Sequence, residues 1–401
     1  MSKPKLWSPL DPLFLQDPYP MYKRLREEDP VHQSQTGEWI ISKYADVRSV
    51  LKSADFRSGN RLELLQRGLT HFKNKEDDLQ FIYAAINSFV LFLNGADHLA
   101  IRNFVSRAWQ HRDVEKLIQQ NARDVLSNIN TEQCDVIQEF ARPLTLMTIS
   151  RIMGIPEKEY HYLVGLSTTM MRAVDLYPSY RHLVELSQAS KEFVLYFKNL
   201  IHKKTEEPDA SLVSNFILSN QDLALREEQL ISICIFLFIA GEETTTNSIS
   251  TGLYHLLQHP AQAERLSTHP DELVSTVEEL FRYDSPVQLV GRIAKTDVTV
   301  GGKVIPAESH LTLVLASANR DPLQFQNPDE LDFHRSPNPH LTFGTGIHFC
   351  LGDWLGRMQT RIAVNSFITT FRSAKILPQD IRWNKNLSVR GLSGLLVKTR
   401  R

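Results

Sequence analysis

Apolar residues recur at helical spacing through much of the first two thirds of the chain. Between about Val114 and Lys203 glycine is scarce, and Val136, Phe140, Leu144, Met147 and Ile152 advance by three to five residues at a time. That spacing lines one face of an α-helix. Pro20 to Glu28 reads as a further amphipathic segment. The longest apolar stretch, Ile231 to Ala240, is half of the ~20 residues that a bilayer requires, so a buried core helix is expected there. Strand signals are few. Trp39 to Ser42 follows the turn residues Thr36 and Gly37, while Val298 to Val300 and Lys303 to Ile305 flank Gly301-Gly302, a pair suited to a tight hairpin. The pattern predicts a mainly α fold with small β-sheets. No repeat, low-complexity tract or Gly/Ser-rich linker divides it, so a single large domain over residues 1–401 is expected.

Composition narrows the class of protein. With 401 residues, 42% of them hydrophobic and 23% charged, the chain can bury a large core. Its 45 basic and 46 acidic residues nearly cancel, so no bulk charge draws it to nucleic acid or to an anionic membrane. Cys134, Cys234 and Cys350 are odd in number and far apart. They suggest a reducing compartment, the cytoplasm, rather than a disulfide framework. Met1 to Pro20 holds five prolines and no sustained apolar run, and so looks like neither a signal peptide nor an anchor.

The densest chemical signal is Phe343-Gly-Thr-Gly-Ile-His-Phe-Cys-Leu-Gly352, which leads into a helical pattern through Leu355, Ile362 and Phe367. A cysteine near a helix N-terminus meets free backbone N–H groups and the positive end of the dipole, both of which favour a thiolate. Gly344, Gly346 and Gly352 allow close backbone approach to a flat ligand. Read alone, Cys350 could equally be a small buried hydrophobe. A dinucleotide loop is a poor match because Phe349 stands where a third glycine is needed. No second cysteine lies close enough for a structural zinc site.

This segment resembles the haem-binding loop of the cytochrome P-450 family at Phe343, Gly344, Gly346, His348, Cys350 and Gly352. The same order of motifs continues elsewhere, in Glu279-Leu-Phe-Arg282, Asn319-Arg-Asp-Pro322, Phe333-His-Arg335 and His340-Leu-Thr-Phe343. The resemblance implies haem b with the Cys350 sulfur as the iron ligand. It implies that Phe343, Gly344, His348 and Gly352 cradle the haem, and that His98, Arg102, Arg292 and His348 hold its propionates. Ala240 would touch both haem and substrate. Glu279 and Arg282, joined by Arg335, would form a buried buttress under the loop. After Gly352 the chain departs from the family's usual Ala-x-Leu-Ala-Arg-x-Glu with Asp353-Trp-Leu-Gly-Arg-Met-Gln359.

Ala240-Gly-Glu-Glu-Thr-Thr-Thr-Asn247 interrupts a long helical pattern with glycine, two carboxylates and three threonines. Gly241 weakens a helix and Thr244 can bond back to the Ala240 carbonyl, so a kink or opened turn is expected. By resemblance, Glu243 and Thr244 are the catalytic acid and alcohol, and Glu242 occupies a variable position pointing elsewhere. The implied activity is insertion of one oxygen atom from O2 into an apolar or amphipathic small molecule, by hydroxylation or epoxidation. Family comparison points to Phe236, Ala240, Val287, Leu289, Val290 and Leu392 as pocket walls and to Leu62 through Leu93 as a substrate-access loop. Three cysteines cannot hold a ferredoxin-type cluster, so electrons are expected from a separate ferredoxin or flavodoxin with its reductase. Arg107, Arg112, Arg357 and Arg361 are candidate contacts, and the protein is expected to be a monomer. A peroxide-using or rearranging haem-thiolate enzyme, or a non-catalytic haem-binding protein, are the alternatives.

Overall fold

The computed structural model describes residues 6–9, 11–59, 80–86, 88–109, 113–130, 132–171, 180–220 and 225–399. Arg112 and the 62–79 part of the expected access loop lie outside the described residues. Two compact units emerge: residues 1–59, 122–141 and 244–401 form one, and residues 60–121 and 142–243 form the other.

The first unit holds the β-structure. Its largest sheet has five strands in the order Val31–Gln33, Trp39–Ile41, His310–Val314, Leu289–Ala294, Phe56–Arg57. Trp39–Ile41 pairs antiparallel with Val31–Gln33 and parallel with His310–Val314. Val31, Ile41, Leu311 and Leu313 are at most 1% exposed, each contributing roughly 1.5 to 3 kcal/mol through burial. They share a core with Tyr44, Val47 and Leu315. The expected hairpin forms with Val298 opposite Ile305 and Val300 opposite Lys303. Gly301 and Gly302 take φ of 54° and 80° at its tip, a conformation that costs glycine little.

The second unit is helical throughout its described residues, with helices that include Gly95–Ala108, Arg142–Met153, Tyr160–Met170 and Tyr180–Glu206. Phe193, Phe197 and Phe238 pack ring to ring, with centroids 5.9 to 6.3 Å apart. Ahead of Arg142–Met153 the backbone makes a π-helical stretch, Val136–Ala141.

The apolar stretch lies in one long helix, Glu227–Leu257. By length and composition it could cross a membrane, yet 67% of its most apolar window is buried within the protein. The expected kink at Gly241 is absent, and the helix runs unbroken through it. The glycine serves packing instead: a Cβ there would stand 2.9 Å from Ile149 Cδ1. A larger residue would have to push the end of the Ile149 side chain aside.

Candidate functional site

In the first unit the chain approaches Cys350 through two glycines in left-handed backbone, Gly344 at φ 69° and Gly346 at φ 77°. A Cβ on Gly346 would fall 2.5 Å from the Leu51 carbonyl oxygen, so only glycine fits. A short 3-10 turn, Gly346–His348, follows, and the Cys350 amide donates to the Phe343 carbonyl at 3.0 Å. Gly352 then opens the helix Asp353–Thr370. Cys350 is the exposed cysteine, while Cys134 and Cys234 are buried. Burial pushes the latter two thiols up to about 12. Among the three, Cys350 is the one whose exposure lets it meet a ligand.

Behind the loop stands a dense polar buttress. Glu279 and Arg282 are both 0% exposed, not the surface pair that their helical spacing alone would suggest. Arg282 Nε and Nη2 donate to the two Glu279 oxygens at 2.7 and 2.8 Å, and Arg335 Nε donates at 3.1 Å. The Asp332 amide and Asn338 Nδ2 complete the shell of that carboxylate. Arg282 also donates to the carbonyls of Asn319, Pro328 and Glu330. Asn319 Oδ1 in turn accepts from the Leu341 amide, which fixes the segment leading into the loop. Beside this, Glu278 faces His340 Nε2 at 3.0 Å and accepts from Arg357 Nε at 2.7 Å. Burial pushes the Glu278 carboxyl up, but these two partners outweigh it and hold the group down to about 2. Arg357 also bonds Asp353 and covers the Phe343 ring at 4.2 Å. These contacts hold it beside the loop while leaving its side chain 29% exposed.

The resemblance implies a haem, and the donor set fits one. Arg292 is 6% exposed in the strand Leu289–Ala294. Its Nη1 donates to the Gly291 carbonyl at 2.7 Å, which is not a carboxylate. Burial alone lowers its pKa to about 10. A buried guanidinium without a counter-ion among the described residues is costly, and an anionic ligand carboxylate would offset that cost. His348 lies half-buried in the 3-10 turn of the same unit. In the second unit His98, 1% exposed, and half-buried Arg102 occupy one face of the helix Gly95–Ala108.

The pocket residues divide as well. Val287, Leu289, Val290 and Leu392 belong to the first unit, Phe236 and Ala240 to the second. Leu289 and Val290 are neighbours in a strand and so face opposite sides of the sheet. One wall cannot use both. Phe236 packs on Phe89 with centroids 5.1 Å apart, and Leu392 is buried beside its bridge to Trp383.

The acid and alcohol positions are adjacent on the long helix, with Glu243 12% exposed and Thr244 half-buried. Arg142 was not singled out by sequence reasoning. Its Nη2 lies 3.9 Å from Glu243 Oε2, and its Nε lies 3.4 Å from Glu242 Oε1. Glu242 is fully buried and accepts from Ser167 Oγ at 3.2 Å. Only the run of two acids could have hinted at this, because Arg142 and Ser167 lie 100 and 75 residues distant in sequence.

The family described as Cytochrome P-450 matches residues 61–395 of this chain. The biotin biosynthesis cytochrome P-450 of Bacillus subtilis (strain 168) is 33% identical over 391 residues, covering 96% of each chain. The polyketide biosynthesis cytochrome P-450 PksS of the same organism is 33% identical over 399 residues, with 96% of each covered. Among solved structures, P-450BioI in complex with hexadec-9Z-enoic acid ligated acyl carrier protein superposes with a TM-score of 0.89 at 32% identity, over 97% of this chain and 99% of that one.

Proposed function

This chain belongs to the cytochrome P-450 family and is a haem-thiolate monooxygenase, and on that premise we propose that it oxidises an apolar or amphipathic small molecule at a haem b ligated by Cys350. The observation that carries the residue-level reading is the exposed Cys350 thiol on its glycine-shaped turn, braced from behind by the saturated Glu279 buttress. When bound, the haem iron supplies the activation of dioxygen. Cys350 gives the sulfur ligand. By resemblance to the family, Arg292, His348, His98 and Arg102 would pair with the porphyrin carboxylates, and Phe343, Gly344, Gly352 and Ala240 would line the macrocycle.

Glu243 and Thr244 manage protons. Splitting dioxygen so that one oxygen atom enters the substrate and the other leaves as water consumes two protons and two electrons, and the protons need a route to the buried site. Glu243 holds a proton at its carboxyl oxygen and exchanges it with water. The Thr244 hydroxyl orients that water by hydrogen bonding. Phe236, Ala240, Val287, Leu392 and one of Leu289 or Val290 offer hydrocarbon to the substrate, which favours an apolar body in the site.

Electrons come from a separate ferredoxin or flavodoxin with its reductase. Ile347 and Trp354, 59% and 37% exposed on either side of Cys350, give that donor an apolar contact, with Arg107 and Arg361 as the remaining charged candidates. Cytoplasmic residence agrees with three unpaired cysteines. Replacing Thr244 by alanine tests the reading: reductant consumption should continue while product per reductant falls several-fold. Unchanged coupling would remove Thr244 from its role.

A further inference from the structure

Asp353 and Gly356 stand where the family's usual run after the cysteine has alanine, and neither has a part in the roles assigned so far. Asp353 opens the helix Asp353–Thr370, three residues past Cys350. Residues four apart share a helix face, and the Asp353 carboxylate accepts from Arg357 Nη1 at 2.5 Å. Arg357 Nε donates to Glu278 Oε1 at 2.7 Å, in the helix Leu273–Tyr283. Held by both acids, the guanidinium carbon lies 4.2 Å from the centroid of the Phe343 ring, within cation–π reach. Phe281 meets the same ring in a T at 5.0 Å, with His340 at 6.0 Å. A Cβ on Gly356 would make ordinary contact with its Cε1 at 3.7 Å. The Phe343 carbonyl accepts the Cys350 amide at 3.0 Å. A charged pair is thereby fixed on the ring whose own backbone is tied to the cysteine, all within one unit.

A helical ion pair with its side chains 29% and 24% exposed adds little to stability. Its consequence lies in where it places charge. Partly buried charges are screened less than exposed ones, and a cation beside a redox group favours the reduced form while an anion favours the oxidised form. We propose that Asp353 is a positioning residue for electron uptake: its carboxylate holds the Arg357 guanidinium on Phe343 and opposes its charge, which lowers the reduction potential of the haem at Cys350. The inference rests on reading Cys350 as the iron ligand. Loss of the carboxylate removes an anion and releases a cation, and both changes move the potential upward. Loss of the guanidinium moves it downward. An acid in place of alanine therefore makes the protein harder to reduce by a given donor.

The test is a spectroelectrochemical titration of the haem-loaded protein with small mediator dyes and no protein donor. In Asp353→Asn and Asp353→Ala the midpoint should rise, leaving several-fold more protein reduced at a fixed potential, where a ten-fold change is about 59 mV for one electron. Asp353→Glu should return most of the way to the parent. Arg357→Gln should fall below it, and Gly356→Ala, which adds no charge, should match it. The Asp353→Asn shift should shrink in an Arg357→Gln background. A purely structural Asp353 would change the thermal midpoint and leave the potential alone. An unmoved or lowered potential in both Asp353 variants, or the full upward shift in the Arg357→Gln background, overturns the proposal. The carbon monoxide spectrum separates the two readings: where the red-shifted thiolate band is present, an unmoved potential removes the role of Asp353 alone. A parent lacking that band removes the Cys350 ligand, and this proposal with it.

Discussion

Two groups of buried glutamates differ in the direction in which their neighbours push the carboxyl. Glu279, under the cysteine loop, receives two nitrogens from Arg282, one from Arg335, one from Asn338 and the Asp332 amide. Glu278 beside it has His340 and Arg357 and is held down to about 2. Glu242 shares one guanidinium with Glu243 and takes one hydroxyl, and it rises to about 7. Burial penalises all of these charges, so it does not separate them. The neighbours do: His340 and Arg357 hold Glu278 down, whereas the charge of Glu243 adds to burial in pushing Glu242 up. A carboxylate held by such donors is a strut, whereas one pushed up by a like charge beside it titrates near neutrality and is a switch.

Breaking the strut should have the largest effect. Arg282→Met strands Glu279 in the interior and should cost about 3 to 5 kcal/mol, read as a fall in the denaturation midpoint with loss of haem retention. Gly346→Ala comes next, because a left-handed backbone and a contact of 2.5 Å with the Leu51 carbonyl together should cost about 2 to 4 kcal/mol. A smaller change in the thermal midpoint would mean that the loop is not pinned by its backbone.

The switch should show itself as a pH dependence of opposite sign to that of the strut. Glu242 has a raised folded-state value, so its contribution is fully present below its ordinary 4.5 and is lost as pH rises to about 7. Denaturant titrations of Glu242→Gln and the parent should diverge across that window by about 3 kcal/mol. Glu278 is depressed, so its contribution is present above 4.5 and lost as pH falls toward about 2. Glu278→Gln should match the parent at the acidic end and fall below it at neutrality. The smallest effect belongs to Gly241→Ala, where the nearest atom is the mobile end of Ile149. A loss of about 1 kcal/mol is expected, with the helix still unbroken by circular dichroism.

Features written locally in the sequence were the legible ones. The Gly301-Gly302 hairpin needs only two glycines between alternating runs, and the cysteine loop and its approach follow a linear order of motifs. The mainly helical character follows from periodicity. What escaped notice depends on partners distant in sequence. Gly241 looked like a helix breaker because Ile149, which fills the space against it, lies 92 residues earlier. The burial of Glu242 against Arg142 and Ser167 was not legible because those partners come from other helices. The parallel pairing of Trp39–Ile41 with His310–Val314 leaves no local signature at all.

The most direct test of the account is the absorption spectrum of the reduced, haem-loaded protein under carbon monoxide, taken for the parent and for Cys350→Ala. The account predicts the red-shifted band of a thiolate ligand in the parent and its absence in the variant. A colourless parent after expression with ample haem, or the same band in both proteins, would contradict it.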